Sequence, residues 1–77
     1  NHNEAFGLVL AELRRERRMS QDDLSDASDF DRTTISLLER GRRSPTLNTV
    51  YKLCCVLGLT LSQLAVLIEQ KMETINE

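Results

Sequence analysis

The residues with chemistry to offer crowd one short stretch, DRTTISLLERGRR, from Asp31 to Arg43. If Ile35 and Leu38 turn inward on a helix, then Arg32, Thr33, Ser36, Leu37 and Arg40 share its outer side. Arg32 carries a planar fork that can donate two hydrogen bonds to guanine, and the methyls of Thr33 and Leu37 can touch a thymine methyl. Ser36 adds a hydroxyl to the same face. Leu37 suits equally an apolar contact within or between proteins. Arg40, Arg42 and Arg43 flank this side and can neutralise phosphates, which position a partner without specifying its sequence. This is recognition chemistry, not bond-making chemistry.

The rest of the sequence offers little to catalysis. The single histidine, His2, falls in an expected N-terminal tail. No nucleophile has a base at a recognisable spacing. There is no glycine-rich phosphate loop and no Cys/His set for zinc. The expectation is no enzyme, no metal and no cofactor. One tyrosine and no tryptophan make a stacking platform for single strands a poor fit.

Net charge is −2, which alone argues mildly against nucleic acid. The distribution argues the other way: all eight arginines lie between Arg14 and Arg43. Seventy-seven residues suffice for one small domain. A chain this short has little core to spare and gains from a partner copy. No apolar run is long enough to span a membrane, and the polar start NHNEAF does not resemble a signal peptide. Cys54 and Cys55 are adjacent, which strains any bond between them. Free thiols in a cytoplasmic protein are expected, with Cys54 in the core and Cys55 more exposed.

Five helical patterns must position these groups. The first runs from about Glu4 to Arg18, with Phe6, Val9, Leu10 and Leu13 as its buried stripe. Arg15 and Arg17 near its end read as compensation of the helix dipole. The second starts at Ser20 with Asp23 completing a capping box, Met19 packing back before it, and Leu24 and Ala27 facing inward. The third is capped by Asp31, buries Ile35 and Leu38, and stops at Gly41. The fourth is capped by Thr46, buries Leu47, Val50, Leu53, Cys54 and Leu57, and ends at Gly58. The fifth opens with a Thr60–Gln63 capping box and runs to about Glu73. Its stripe of Leu61, Leu64, Ala65, Ile68, Met72 and Ile75 leaves Val66 and Leu67 to one side, and these two with Gln70 are the expected dimer contacts. Residues 1–3 and 74–77 are expected as flexible tails of a single domain, 1–77.

The stretch LRRERRMSQDDLSDASDFDRTTISLLERGRRSPTLNTVYKLCCVLGLTLSQL, Leu13 to Leu64, carries a resemblance, covering Leu10 to Leu64, to the Cro/cI-type helix-turn-helix, or XRE, family of DNA-binding regulators. Its strongest pieces are MSQDDL, RTTISLLERGRRSPTL and the LGLTLS turn. The resemblance implies an all-α, compact five-helix domain of the lambda-repressor-like type, with helices two and three as the helix-turn-helix. It implies that Gln21 meets a DNA phosphate and that Arg32, Thr33 and Leu37 enter the major groove. Arg40, Arg42 and Arg43 would run beside the phosphate backbone, and Arg14 and Glu39 would pair across helices one and three. Where the family favours glycine this chain has Asp29, which then must take a left-handed backbone. Where it favours alanine there is Ser25, expected to bond back to its own helix.

The expected function is sequence-specific double-stranded DNA binding as a homodimeric transcriptional regulator, a repressor by preference. The alternative is a protein-interaction module, antitoxin-like or an accessory subunit, that keeps the fold with weak or no DNA binding.

Overall fold

A computed structural model describes residues 1–76. Five helices follow one another: α1 (His2–Glu16), α2 (Gln21–Ser28), α3 (Arg32–Glu39), α4 (Leu47–Leu57) and α5 (Leu61–Ile75). There is no strand among the described residues. Each start has a local cause. Ser20 Oγ accepts from Asp23 N while Asp23 Oδ2 accepts from Ser20 N, both at 2.9 Å. Thr60 and Gln63 exchange the same pair of bonds. Thr46 caps α4, and Asp31 Oδ1 caps α3 by accepting from Thr34 N at 2.7 Å. These bonds satisfy donors that the first helical turn cannot.

α1 begins two residues before the expected Glu4. Asn1 Oδ1 accepts from Glu4 N, so the cap lies further out. α5 also continues past Glu73, to Ile75. The expected tails therefore include the helical residues His2, Asn3, Thr74 and Ile75; Glu77 lies outside the described residues.

Leu10, Leu24, Ile35, Leu38, Leu53 and Cys54 fill the centre, with Phe6, Val9, Leu13, Leu57 and Leu64 around them. Burial pushes the Cys54 thiol above its ordinary pKa, and the neighbouring Cys55 adds to that. Four inward-facing assignments change, at Ala27, Leu47, Leu61 and Ala65. Ala27 is exposed and Ser28 is fully buried instead, because Leu24 and Ser28 stand one helical turn apart. Ser28 tolerates burial by donating its hydroxyl to Leu24 O. Leu47 is 72% exposed, since it opens α4 before that helix reaches the core. Leu67 belongs to the face of α5 that packs on the core with Leu64 and Ile68, while Leu61 and Ala65 stand exposed. α5 is thus rotated from the expected stripe: of the proposed dimer contacts Val66 is exposed, Leu67 is half-buried, and Gln70 is exposed and borders a groove against α1.

Two backbone features set the helix crossings. Asp29 ends α2 in the left-handed region, φ 64°, and turns the chain into α3. Ser25 braces that turn by donating to Phe30 O at 2.6 Å, across the turn and not back along its own helix. Lys52 of α4 lies over the Phe30 ring and 3.7 Å from Asp29, holding the turn from the other side. Gly7 is where α1 meets the end of α3. A Cβ there would fall 2.4 Å from Leu38 O and 2.5 Å from Glu39 O. Neither carbonyl belongs to a flexible side chain, so neither can give way.

Gly7→Ala should therefore force α1 from α3 and destabilise the fold by about 1–3 kcal/mol, the usual range for overpacking. Urea unfolding checks this; an unchanged midpoint would mean that α1 does not sit against α3 as described. Asp31 is held below the usual carboxylate range, chiefly by the hydrogen bond from the Thr34 backbone and then by the Thr34 side chain. A depressed carboxylate stabilises the fold above its unfolded pKa, and that contribution is lost as pH falls through the depressed value. Asp31→Asn should keep a capping oxygen but remove this dependence. Melting temperatures of the two proteins should differ at neutral pH and converge in acid, as pH falls from the ordinary carboxylate range through the depressed value of Asp31.

Candidate nucleic-acid interface

One carboxylate fastens three helices. Arg14 of α1 donates from Nε to Glu39 Oε2 at 2.6 Å and from Nη2 to Glu39 Oε1 at 3.0 Å. Its remaining Nη1 donates to Met19 O, in the turn before α2. Gln21, the first residue of α2, donates from Nε2 to Glu39 Oε1 at 3.0 Å. The side chains of Arg14 and Glu39 are only 10% and 6% exposed. The hydrogen bond from Arg14 to Glu39 raises the guanidinium pKa against the opposing effect of burial. The expected ion pair is thus present, and Gln21 joins it through a hydrogen bond to its carboxylate.

The outer side of α3 lies beside this anchor. Gln21, Arg32, Thr33, Ser36 and Arg40 border a single shallow recess between the start of α2 and α3. Arg32 and Thr33 are exposed, and Ser36 is partly so. Arg40 is exposed, and its Nε donates back to Ser36 O at 3.3 Å. Leu37 is half-buried and stands apart from the residues that border this recess. The remaining arginines lie beyond it. Arg42 shares a second depression with Glu4, Leu8, Glu39 and Arg40. Arg43 reaches Thr34 Oγ1 at 3.2 Å, on the flank of α3. Arg40 therefore links the recess on α3 to the arginine loop. Among the described residues no group of His, Cys, Asp and Glu side chains could hold a metal ion, and no single helix is long and apolar enough to cross a membrane.

Arg17 has a role the sequence did not disclose. Its guanidinium donates to Leu57 O, the last residue of α4, and to Leu13 O. It ties α1 to the end of α4, beyond any dipole compensation. The only sequence signal was an arginine placed among others at the end of α1.

Removing either Arg14 or Glu39 alone should strand a buried charge and cost on the order of 3–5 kcal/mol. Replacing both by apolar residues of like size (Arg14→Met with Glu39→Leu) should cost distinctly less than either single loss. Denaturation of the four proteins as a double-mutant cycle measures this; additive losses would show that the two groups do not act as a pair.

The fold and this geometry have counterparts. A helix-turn-helix family profile matches residues 10–64. An HTH-type transcriptional regulator of Sinorhizobium fredii, y4dJ, itself described as uncharacterized, is 43% identical over 54 residues, 70% of each chain. Control protein C.MunI of a Mycoplasma species is 40% identical over 60 residues, covering 77% of this chain and 81% of its own. Among solved structures, the restriction-modification controller protein C.Esp1396I, a tetramer in complex with its 35-base-pair operator, superposes with a TM-score of 0.83 at 26% identity, over 91% of this chain and 92% of that one. With the matched profile running from the second half of α1 through the helix-turn-helix and α4 to the first turn of α5, the chain belongs to the Cro/cI-type helix-turn-helix family of DNA-binding transcriptional regulators.

Proposed function

We propose that two copies of this chain bind a symmetric duplex operator in the cytoplasm, read its major grooves with α3, and repress transcription. The observation that carries this reading is the recess on α3. It brings Gln21, Arg32, Thr33, Ser36 and Arg40 together, with no acid among the residues that border it. Arg32, Thr33 and Ser36 supply base contacts from the recess, and Leu37 offers what its half-buried side chain exposes outside it. Gln21, Arg40, Arg42 and Arg43 hold phosphates on either side. The operator complex of C.Esp1396I supports the class of partner, and the control proteins among the relatives support a regulatory role. A pure protein-interaction module is the less favoured reading, since the similar proteins named above are regulators or controllers.

The homodimer follows from what α5 leaves uncovered. Leu61 and Ala65 stand one turn apart on its exposed side, with half-buried Met72 further along that side and Val66 nearby. Leu67 is engaged in its own subunit, so the contact shifts toward Leu61 and Ala65. Two-fold pairing is the commonest way to cover such a patch. It would place the reading helices about 34–36 Å apart, one turn of DNA.

Selection of bound duplexes from a random pool tests the whole reading, and a two-fold symmetric consensus is expected. Arg32→Ala should relax one base position in each half-site and cost about 1–3 kcal/mol on the selected site. Arg42→Ala should keep the consensus, weaken all sequences alike, and lower the salt slope by about 1 per chain. An asymmetric consensus would defeat the dimer. A consensus untouched by Arg32→Ala would remove α3 from base reading.

A further inference from the structure

Asp22 is an acid where an acid is least welcome. It stands in the first turn of α2, next to Gln21, on the side where a phosphate would dock, and it is 69% exposed. Removing such a charge should only help a DNA-binding protein. Its carboxylate has a partner, however. Asp22 Oδ1 lies 3.5 Å from Arg32 Nε, across the gap between α2 and α3. The contact engages the inner nitrogen of the guanidinium. The two terminal nitrogens, Nη1 and Nη2, remain a free fork at the outer end of the side chain.

This geometry answers a difficulty of Arg32. It is exposed, it stands at the first position of a short helix, and it has several rotatable bonds. A free arginine there could swing to the nearest phosphate, which attracts it regardless of sequence. To read guanine it must instead present two parallel donors to O6 and N7 in one plane. A carboxylate fixed on a neighbouring helix can supply that plane. α2 is itself fixed to α3, because Gln21 donates to Glu39.

We propose that Asp22 is a specificity-determining positioning residue: it holds Arg32 by Nε and aims Nη1 and Nη2 at guanine, giving up phosphate affinity for discrimination. The inference rests on Arg32 being a base reader. Asp22 touches no base itself. Asp26, one turn further along α2, has no contact with Arg32 and only adds negative charge to the surface.

The test selects duplexes from a random pool with the full chain and five variants, and measures binding to the wild-type consensus and to random duplex. Asp22→Ala should tighten binding to random duplex yet lower the preference for guanine at the Arg32 position about fivefold, a part of what a bidentate pair discriminates. Asp22→Asn removes the charge on which this ion pair depends, so it should lower that preference as Asp22→Ala does while also tightening random binding. Asp26→Ala should raise both affinities together and leave the consensus unchanged. In Arg32→Ala, adding Asp22→Ala should change no base preference. Circular dichroism confirms that each variant folds. If Asp22→Ala leaves the guanine preference intact while Arg32→Ala abolishes it, the positioning role is overturned and the base-reading role stands. If Arg32→Ala also leaves the consensus unchanged, both fall.

Discussion

The Glu39 carboxylate is the constraint on which the arrangement depends. Burying a carboxylate and a guanidinium is costly, and a buried pair is weak evidence of stability. Its value here is geometric. Four hydrogen bonds converge: two from Arg14 to Glu39, one from Gln21 to Glu39, and one from Arg14 to Met19 O. Together they set the end of α3, the start of α2 and the last turn of α1 at one point. An apolar cluster could bury as much surface, but it would accept many small rotations of the helices. The planar fork accepts few. The outer face of α3 therefore takes its orientation from the same group that anchors its last turn.

Around this fixed point the surface charge is arranged unevenly. The net charge of −2 conceals a face where Arg32 and Arg40 meet Gln21, with Arg42 and Arg43 at its margin. Asp22, Asp26 and Asp29 lie on or just after α2, so the acids sit beside this face and not within the recess. Such a pattern lowers general attraction to polyanions while leaving the contacts of one face intact. On the proposed reading, affinity for any duplex and preference for one duplex fall to different residues.

Much of this was legible in the sequence because it is local. Caps depend on side chains three residues apart, and Ser20–Asp23, Asp31–Thr34 and Thr60–Gln63 form as their spacing requires. Ile35 and Leu38 had to be buried if α3 was a helix at all. The left-handed backbone at Asp29 and the Arg14–Glu39 pair were legible through the family resemblance. What stayed hidden depends on how helices are rotated against one another. Serine and alanine are both small, so periodicity could not choose between Ala27 and Ser28; only the direction of Leu24 decides. Leu47 and Leu67 are ordinary apolar residues whose burial depends on where α4 meets the core and how α5 turns. Arg17 finds the end of α4 forty residues along the chain. Gly7 carries no side chain and so no pattern, yet the distance between two helices depends on it.

That glycine has a mechanical consequence. Helices separated by a layer of side chains can slide when rotamers change. Where one backbone rests on the carbonyls of another, as α1 rests on Leu38 and Glu39, there is no such layer to yield. α3 is seated on a stiff mount and meets its partner in the shape it already has. In a pair of such subunits, any mismatch between two rigid readers and a straight duplex is taken up by the duplex. Bending a site of 20–30 base pairs costs of order 1–6 kcal/mol, and the cost varies with the flexibility of its base steps. Sequences that bend easily would then be favoured at positions no side chain touches.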